Sequence, residues 1–304
     1  MKPYSRRQFL QTSSLLVAGA VVASSFELKK RKPLLSFSTL GCPDWSFNQI
    51  IDFAAQNGYD GIELRGIQRE MDLTKVKELS TAANRQETLQ KMKDKGLRFV
   101  DLGSSATMHF ADPAERLKNL DDGRRFIDLA QQLDCPFIRV FPNSFPKDQD
   151  KAFVMDLMVK GMLELADHAA GTNVSVLVES HGDLVKISDL EAVMKAAKHP
   201  NTGMIWDVCN MWAITRESPT EAYKALRPYI RHTHIKDGKM TGDDIHYVLL
   251  GQGEVPIFEA IDALHNGGYK GYYSFEWEKL WHPEIGEPDI ALADYTRVMK
   301  AHFM

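Results

Sequence analysis

The sequence predicts an α/β protein of the (β/α)8 class, a closed barrel of parallel strands surrounded by helices. Short runs rich in β-branched and aromatic residues alternate with amphipathic segments about eight times. The apolar runs are continuous, as in strands buried on both faces, and they fill roughly 275 residues, the usual size of such a barrel. An open, doubly wound sheet is the alternative, but the first strand-to-helix turn, Gly41-Cys42-Pro43, lacks the glycine pattern of a nucleotide-binding turn.

The first half of the chain contains four strand–helix units. Apolar runs predict strands at 34–41, 59–66, 97–105 and 135–142, and helical spacing predicts helices at 46–56, 81–95, 113–133 and 151–169. The first helix ends at Asn57-Gly58, a pair typical of a left-handed cap. The third helix begins at Asp112-Pro113, a favoured opening pair.

The second half repeats the pattern. We expect strands at 174–180, 202–208, 229–237 and 271–278, and helices at 188–198, 220–226, 257–266 and 289–302. Residues 237–252 read as a long polar loop. No composition shift marks an internal boundary, so residues 28–304 are predicted to form a single barrel domain.

Residues 1–27 are predicted to be a twin-arginine export signal. Arg6-Arg7 precedes a stretch of small and apolar residues, 13–25, which is too short to span a membrane comfortably. An ordinary membrane anchor is the alternative interpretation. The signal implies a periplasmic protein with no stable membrane insertion once the signal is removed.

Composition and charge restrict the partners. The sequence of 304 residues is 44% hydrophobic and 26% charged, with a formal net charge of −4, so it offers no field that attracts nucleic acid. Its three cysteines, Cys42, Cys135 and Cys209, have no spacing typical of a disulfide framework or a zinc ribbon. A small polar ligand remains the expected partner, and a homo-oligomer is possible.

The last four predicted strands each end on an acidic residue or a histidine: Glu179, Asp207, His234 and Glu276. Strand ends of this kind form the catalytic face of a barrel, and buried charges there need pairing or coordination. Three carboxylates and one imidazole suit a single divalent ion, Mn²⁺ first, with Mg²⁺, Co²⁺ or Zn²⁺ possible. For any one of the four, a buried salt bridge is the alternative.

The motifs around these residues resemble the sugar phosphate isomerase/epimerase superfamily of xylose isomerase-like TIM barrels. They are V-L-V-E-S-H at 176–181, I-W-D-V-C-N at 205–210, H-T-H-I-K-D at 232–237 and F-E-W-E at 275–278. The resemblance covers about residues 35–300 and includes the Gly251-Gln252-Gly253 loop. It implies that Glu179, Asp207, His234 and Glu276 are metal ligands, and that the two glutamates are also the catalytic acid/base pair on opposite faces of the substrate.

The implied activity is isomerisation or epimerisation of an unphosphorylated sugar or sugar derivative. A metal bound to a substrate carbonyl and the adjacent hydroxyl stabilises an enediolate, and two carboxylates can then move the proton at the neighbouring carbon. The same residues would serve a lyase or hydrolase that cleaves keto-glycosides by elimination. A periplasmic sugar-binding protein is the non-enzyme alternative. A DNA-repair nuclease on this barrel would need a richer histidine set and a basic groove.

Substrate contacts are predicted from their positions near the expected barrel mouth: His181, Asn210, Lys236, Glu63, His109, Trp45 and Trp277. Indole faces suit the apolar faces of sugar rings, while imidazole and ammonium groups suit hydroxyl oxygens. Core packing or surface salt bridges are the competing interpretations. The chain has Asn210 and Met240 where the ketose epimerases carry a histidine and an arginine, which argues against simple free-ketose 3-epimerisation.

Overall fold

Eight parallel strands close a barrel in the structure, a computed structural model that describes residues 32–304. They are β1 (Leu34–Ser38), β2 (Gly61–Leu64), β3 (Arg98–Thr107), β4 (Phe137–Phe141), β5 (Ser175–Glu179), β6 (Thr202–Asp207), β7 (Ile230–Ile235) and β10 (Tyr272–Phe275). Their hydrogen-bonded order is β1-β10-β7-β6-β5-β4-β3-β2, which returns to β1. The predicted (β/α)8 barrel is therefore confirmed, and residues Pro33–His302 form one compact unit.

Helices connect the successive strands. They are α1 (Phe47–Asn57), α2 (Ala82–Asp94), α3 (Pro113–Gln132), α4 (Lys151–His168), α5 (Ile187–Ala196), α6 (Val208–Thr215), α7 (Pro219–Leu226), α8 (Ile257–Asn266) and α9 (Pro288–Phe303). Helix α1 begins with a capping box between Ser46 and Gln49 and ends at Gly58, whose φ is 75°. No helix within residues 32–304 is both long enough and apolar enough to cross a membrane. The predicted export signal, residues 1–27, lies outside the described part of the chain.

Two elements differ from the sequence prediction. The segment predicted as a polar loop contains an antiparallel hairpin, β8 (Asp237–Thr241) and β9 (Asp244–Val248), which turns at Gly242-Asp243. Helix α6 follows β6 immediately and was not predicted, because its sequence VCNMWAIT has no polar face and so no helical periodicity. Both elements lie after the strands that carry Asp207 and His234, so they shape the surroundings of the predicted metal ligands.

The barrel strands bury many polar side chains as well as apolar ones. β6 is buried at all six positions, and its last residue is Asp207. Buried polar residues on the other strands include Ser36, Glu63, Asp101, Arg139, His232, His234 and Ser274. Because an unpaired buried charge is strongly unfavourable, these groups must satisfy one another or a ligand.

Candidate metal centre and substrate cavity

The four residues predicted as ligands converge at one end of the barrel. Glu179, Asp207 and His234 lie on the neighbouring strands β5, β6 and β7, and Glu276 directly follows β10, which pairs with β7. The register sets Asp207 opposite His234 and His234 opposite Ser274, two residues before Glu276. One donor atom from each residue lies within 4.8 Å of the other three, and all four side chains are buried.

The spacing of the donor atoms fits one divalent ion. His234 Nδ1 lies 3.0 Å from Glu179 Oε1, 3.3 Å from Glu276 Oε2 and 3.8 Å from Asp207 Oδ2. Ligand atoms that share an ion at about 2.0–2.2 Å are separated by about 3–4.4 Å, depending on the angle between them. The observed distances are therefore those of a coordination set with three hard oxygens and one imidazole nitrogen.

Glu63 supports the imidazole from behind. Its Oε2 lies 3.1 Å from His234 Nε2, 3.0 Å from His232 Nε2 and 3.1 Å from Ser274 Oγ. When Nε2 of His234 is protonated and donates to Glu63, Nδ1 is unprotonated and its lone pair points toward the three carboxylates, as a ligand histidine requires. This position corrects the expectation that Glu63 contacts substrate, because Glu63 is fully buried and three donors surround one of its oxygens.

Two buried cations neutralise the same acids. Lys236 Nζ lies 2.8 Å from Asp207 Oδ2 and 2.6 Å from Glu276 Oε2, and it also contacts Glu278. Arg139 Nη1 lies 3.1 Å from Glu179 Oε2 and 3.7 Å from Glu276 Oε1, so it links the two glutamates. The sequence predicted Lys236 as a substrate contact rather than as a partner of these acids, and Arg139 was missed. The available signal was a charged residue inside the otherwise apolar strand FIRVF.

The directions of the pKa shifts show that the buried acids stabilise positive charge on their neighbours. Burial alone would lower the pKa of His234, but Glu276, Glu63 and Glu179 raise it well above its usual value. Burial raises the pKa of Asp207 to about 7 against the opposing effect of Lys236. The pKa of Glu276 is held well below its ordinary value, because His234 and Lys236 outweigh the effect of burial. A bound cation would supply the charge that the His234 proton otherwise provides.

A cavity of about 300 Å³ opens beside this cluster. It is lined by Leu40, Arg65, Ser105, Thr107, Arg139, Phe141, Asn143, Glu179, His181, Lys236, Glu276, Glu278 and Trp281. The structure thus brings His181 and Lys236, two of the predicted substrate contacts, to the cavity with both glutamates. Burial lowers the pKa of His181, and its Nδ1 has no hydrogen-bond partner within residues 32–304. A neutral imidazole facing the cavity can bind a substrate hydroxyl.

The other predicted contacts do not line the cavity. Trp277 is buried: its Nε1 donates to Gly286 O at 2.9 Å and its ring stacks on Phe275. Trp45 packs on Phe53 in a separate surface groove. His109 lies against Phe110, and Asn210 uses its backbone N–H to cap α6 through Asp207 Oδ1 at 2.8 Å. The indole at the mouth is instead Trp281, which is 57% exposed.

Known proteins share this architecture. A family model described as the xylose isomerase-like TIM barrel matches residues 51–297. The 3-dehydroshikimate dehydratase of Bacillus anthracis is 26% identical over 233 residues, covering 71% of this chain and 78% of that protein. Fructoselysine 3-epimerase of Shigella flexneri is 22% identical over 247 residues, covering 78% and 86%.

The fold itself is also found among solved structures. The IOLI protein with a zinc atom has a TM-score of 0.74 at 16% identity, with 89% of this chain and 99% of that chain covered. The family model spans most of the chain, and the closed barrel is the architecture it describes. The chain therefore belongs to the xylose isomerase-like TIM barrel family.

Proposed function

We propose that the protein is a divalent-metal-dependent isomerase or epimerase that moves a proton next to a carbonyl of a sugar or sugar derivative. The observation that carries this proposal is the placement of Glu179 and Glu276. Each glutamate belongs to the four-residue donor set, and each also lines the cavity. They arise from strands separated by β6 and β7, so the two carboxylates reach the same cavity from different parts of the barrel wall.

The side chains around the glutamates suit proton transfer. Arg139 contacts Glu179 and Lys236 contacts Glu276, and whichever of the two glutamates is ionised can accept a proton from carbon. Inversion of the centre requires the opposite glutamate to start protonated and to give its own proton to the other face, whereas return of the abstracted proton by the first glutamate to the neighbouring carbon isomerises the substrate. His181 is placed to hold a hydroxyl of the substrate. A divalent ion held by the four donors supplies positive charge that favours the developing oxyanion.

We propose Mn²⁺ as the ion, because three carboxylates and one imidazole form an oxygen-rich donor set. Zinc is the next candidate, since the IOLI protein of the same fold is described with a zinc atom. Metal analysis of protein purified from its own cells tests this assignment. Protein that carries no metal and shows no affinity for Mn²⁺, Mg²⁺, Co²⁺ or Zn²⁺ would contradict the proposal.

Elimination is the second candidate, and one observation favours it. The Bacillus anthracis relative is a 3-dehydroshikimate dehydratase, so loss of a leaving group is a chemistry known for a similar chain. The first step, removal of a proton next to a carbonyl, is the same. The lyase interpretation differs only in what leaves afterwards, either water or an aglycone from a keto-glycoside.

Incubation in deuterated water with a panel of sugars and keto-glycosides separates these reactions. Solvent label gained at carbon without bond cleavage supports an isomerase or epimerase, whereas a released aglycone or an unsaturated product supports elimination. Ligand binding with neither result would indicate a sugar-binding protein that retains the barrel as a scaffold.

Glu276→Gln in the metal-loaded protein tests the acid/base role. We expect label exchange to fall by about 10²–10⁴-fold, because the amide cannot take up the proton. Glu284→Gln is the matched control, since Glu284 lies eight residues further along the same loop with its side chain 62% exposed. Equal exchange rates in the two variants would refute the role of Glu276.

Export is also part of the proposal. The twin-arginine pattern at Arg6-Arg7 supports action in the periplasm. Replacing both arginines by lysine should leave the protein in the cytoplasm, measured by cell fractionation. Unchanged export of that variant would contradict the twin-arginine route.

A further inference from the structure

Two arginines face the cavity, and only one of them is paired with acids. Arg139 contacts Glu179 and Glu276, whereas none of the ion pairs within residues 32–304 includes Arg65. The partners of the Arg65 guanidinium are neutral: Nη1 donates to Gly103 O at 3.3 Å and Nη2 to Ser105 Oγ at 3.1 Å. Arg65 is nevertheless only 6% exposed. A buried cation without an adjacent anion is unfavourable unless a ligand completes it.

The position of Arg65 is built into the barrel wall. Its backbone N–H donates to Thr39 Oγ1 at 2.9 Å, which fixes the end of β2. Gly103 leaves the space for the side chain, because a Cβ there would lie 2.7 Å from Arg65 Cδ and 3.3 Å from Arg139 Nη2. Burial, together with the nearby charge of Arg139, lowers the pKa of Arg65 to about 9 against the opposing effect of Glu276, Glu179 and Glu63. For Arg139 the acids outweigh burial and raise the pKa.

The groups beside Arg65 are those that accompany an anion. Ser105, Thr107 and Asn143 also line the cavity. Thr107 Oγ1 donates to Ser105 O at 3.2 Å and Asn143 Nδ2 to Thr107 Oγ1 at 3.5 Å, whereas the Ser105 hydroxyl accepts from Arg65 and can donate to a ligand. The acids of the cavity, Glu179, Glu276 and Glu278, are contacted by Arg139 or Lys236. The cavity therefore contains acids that are paired with Arg139 or Lys236 and, close to Arg139, a second guanidinium that has no ion-pair partner within residues 32–304.

We propose that Arg65, with Ser105 beside it, is the anion-binding subsite of the cavity and that the substrate carries a carboxylate there. The planar fork of a guanidinium matches the two oxygens of a carboxylate. The substrate class is thus an acidic sugar derivative, such as a uronate, rather than a neutral sugar. This inference rests on the proposed function of the cavity, and it adds a specificity-determining residue to it.

Binding measurements on Mn²⁺-loaded protein test the inference with matched pairs of probes. The pairs are D-glucuronate with D-glucose, and D-galacturonate with D-galactose. Calorimetry should show that the uronate of at least one pair binds about 10- to 100-fold more tightly than its neutral partner, because charge-assisted bidentate hydrogen bonds form only with the acid. D-glucose 6-phosphate is included to separate a carboxylate from a phosphate requirement.

Arg65→Met keeps an apolar stem of similar length and removes the charge. In this variant the preference for the uronate should shrink to within about threefold, while the affinity for the neutral sugar changes little. Arg297→Met is the matched control, because Arg297 lies on α9 with its side chain 70% exposed and pairs only with Asp294 among the described residues. Arg65→Lys, which retains the charge but not the fork, provides an intermediate case if Arg65→Met does not fold.

Three results would overturn the inference: no preference for either uronate in the wild-type protein, a preference that survives Arg65→Met, or stronger binding of the phosphate ester than of the uronate. Failure of the proposed function has a different signature. If the protein binds metal and exchanges label on neutral sugars but does not prefer uronates, only the Arg65 proposal fails. If the protein prefers uronates through Arg65 but exchanges no label, the Arg65 proposal stands and the isomerase proposal fails.

Discussion

Glu63→Gln is the sharpest test of the metal centre, because it removes one charge without replacing a metal ligand. The carboxylate of Glu63 lies 3.1 Å from His234 Nε2 and 3.0 Å from His232 Nε2, and it is fully buried. Its pKa is held well below the ordinary value, since His234 and His232 outweigh the effect of burial. The wild-type residue is therefore an anion that both orients the imidazole of His234 and increases the basicity of its Nδ1.

The expected loss of metal affinity follows from that geometry. Glutamine has the same shape, so the barrel should fold, but its amide can present an N–H to His234 and favour the wrong tautomer. Removing the outer partner of a ligand histidine reduces metal affinity by about 10- to 100-fold, which corresponds to about 1.4–2.8 kcal/mol. We expect this reduction for Mn²⁺ binding to Glu63→Gln, measured by calorimetric titration.

Asp101→Asn is the matched control. Asp101 pairs with Glu63 in the strand register and is equally buried, but burial and the neighbouring Glu63 raise its pKa well above the usual value. Burial and Glu63 thus favour the neutral form of Asp101, which the amide of asparagine mimics. We expect its Mn²⁺ affinity to stay within about threefold of the wild type. The reasoning is refuted if Glu63→Gln binds Mn²⁺ as tightly as Asp101→Asn does.

Two further predictions concern protons and packing. The pKa of His234 is raised well above its usual value and that of Asp207 to about 7, so protons compete with the metal. The Mn²⁺ affinity should therefore fall about tenfold per unit below pH 8 and more steeply from pH 7 to 6, where Asp207 also takes up a proton; titrations that give one affinity across this range would contradict this. Gly253→Ala should lower the free energy of unfolding by about 1–3 kcal/mol, because the new Cβ would lie 2.0 Å from Asp237 Oδ1 and 2.5 Å from Gly238 O. Gly286→Ala is the control and should change that free energy little, because the atom nearest to its Cβ would be 3.7 Å away. Thermal unfolding of the two variants measures that difference, and similar midpoints would disprove the steric argument.

The strand ends were predictable because they follow from chain-local patterns. Glu179, Asp207, His234 and Glu276 each follow an apolar run, and parallel strands bring such ends to one face without further information. The hairpin β8–β9 also had a local signal, Gly242-Asp243 between Thr241 and Asp244, which is a two-residue turn pattern. It was missed because its strands are polar and partly exposed.

The partners of those strand ends were not predictable in the same way. Arg139 and Glu63 reach the cluster from β4 and β2, and their partners lie 40 and 171 residues away in the chain. The indoles show the same limit: Trp277 and Trp281 both follow β10, but only the closing of the loop onto Gly286 decides that Trp277 is buried and Trp281 faces the cavity. Contacts across the barrel, rather than local propensity, decide these roles.

The strand order divides the two tasks of the cavity between two arcs of the barrel. All four donor residues come from the continuous arc β5-β6-β7-β10, whereas Arg65 and Ser105 come from the opposite arc: Arg65 lies just after β2 and Ser105 lies on β3. Sequence change at Arg65 and Ser105 can therefore alter which molecule is accepted while the four donors stay in place, whereas change at Glu63 on the same arc disturbs His234. Related barrels can therefore differ in substrate while they keep the same metal ligands and acid/base residues. Engineering of a new specificity should begin at Arg65 and Ser105.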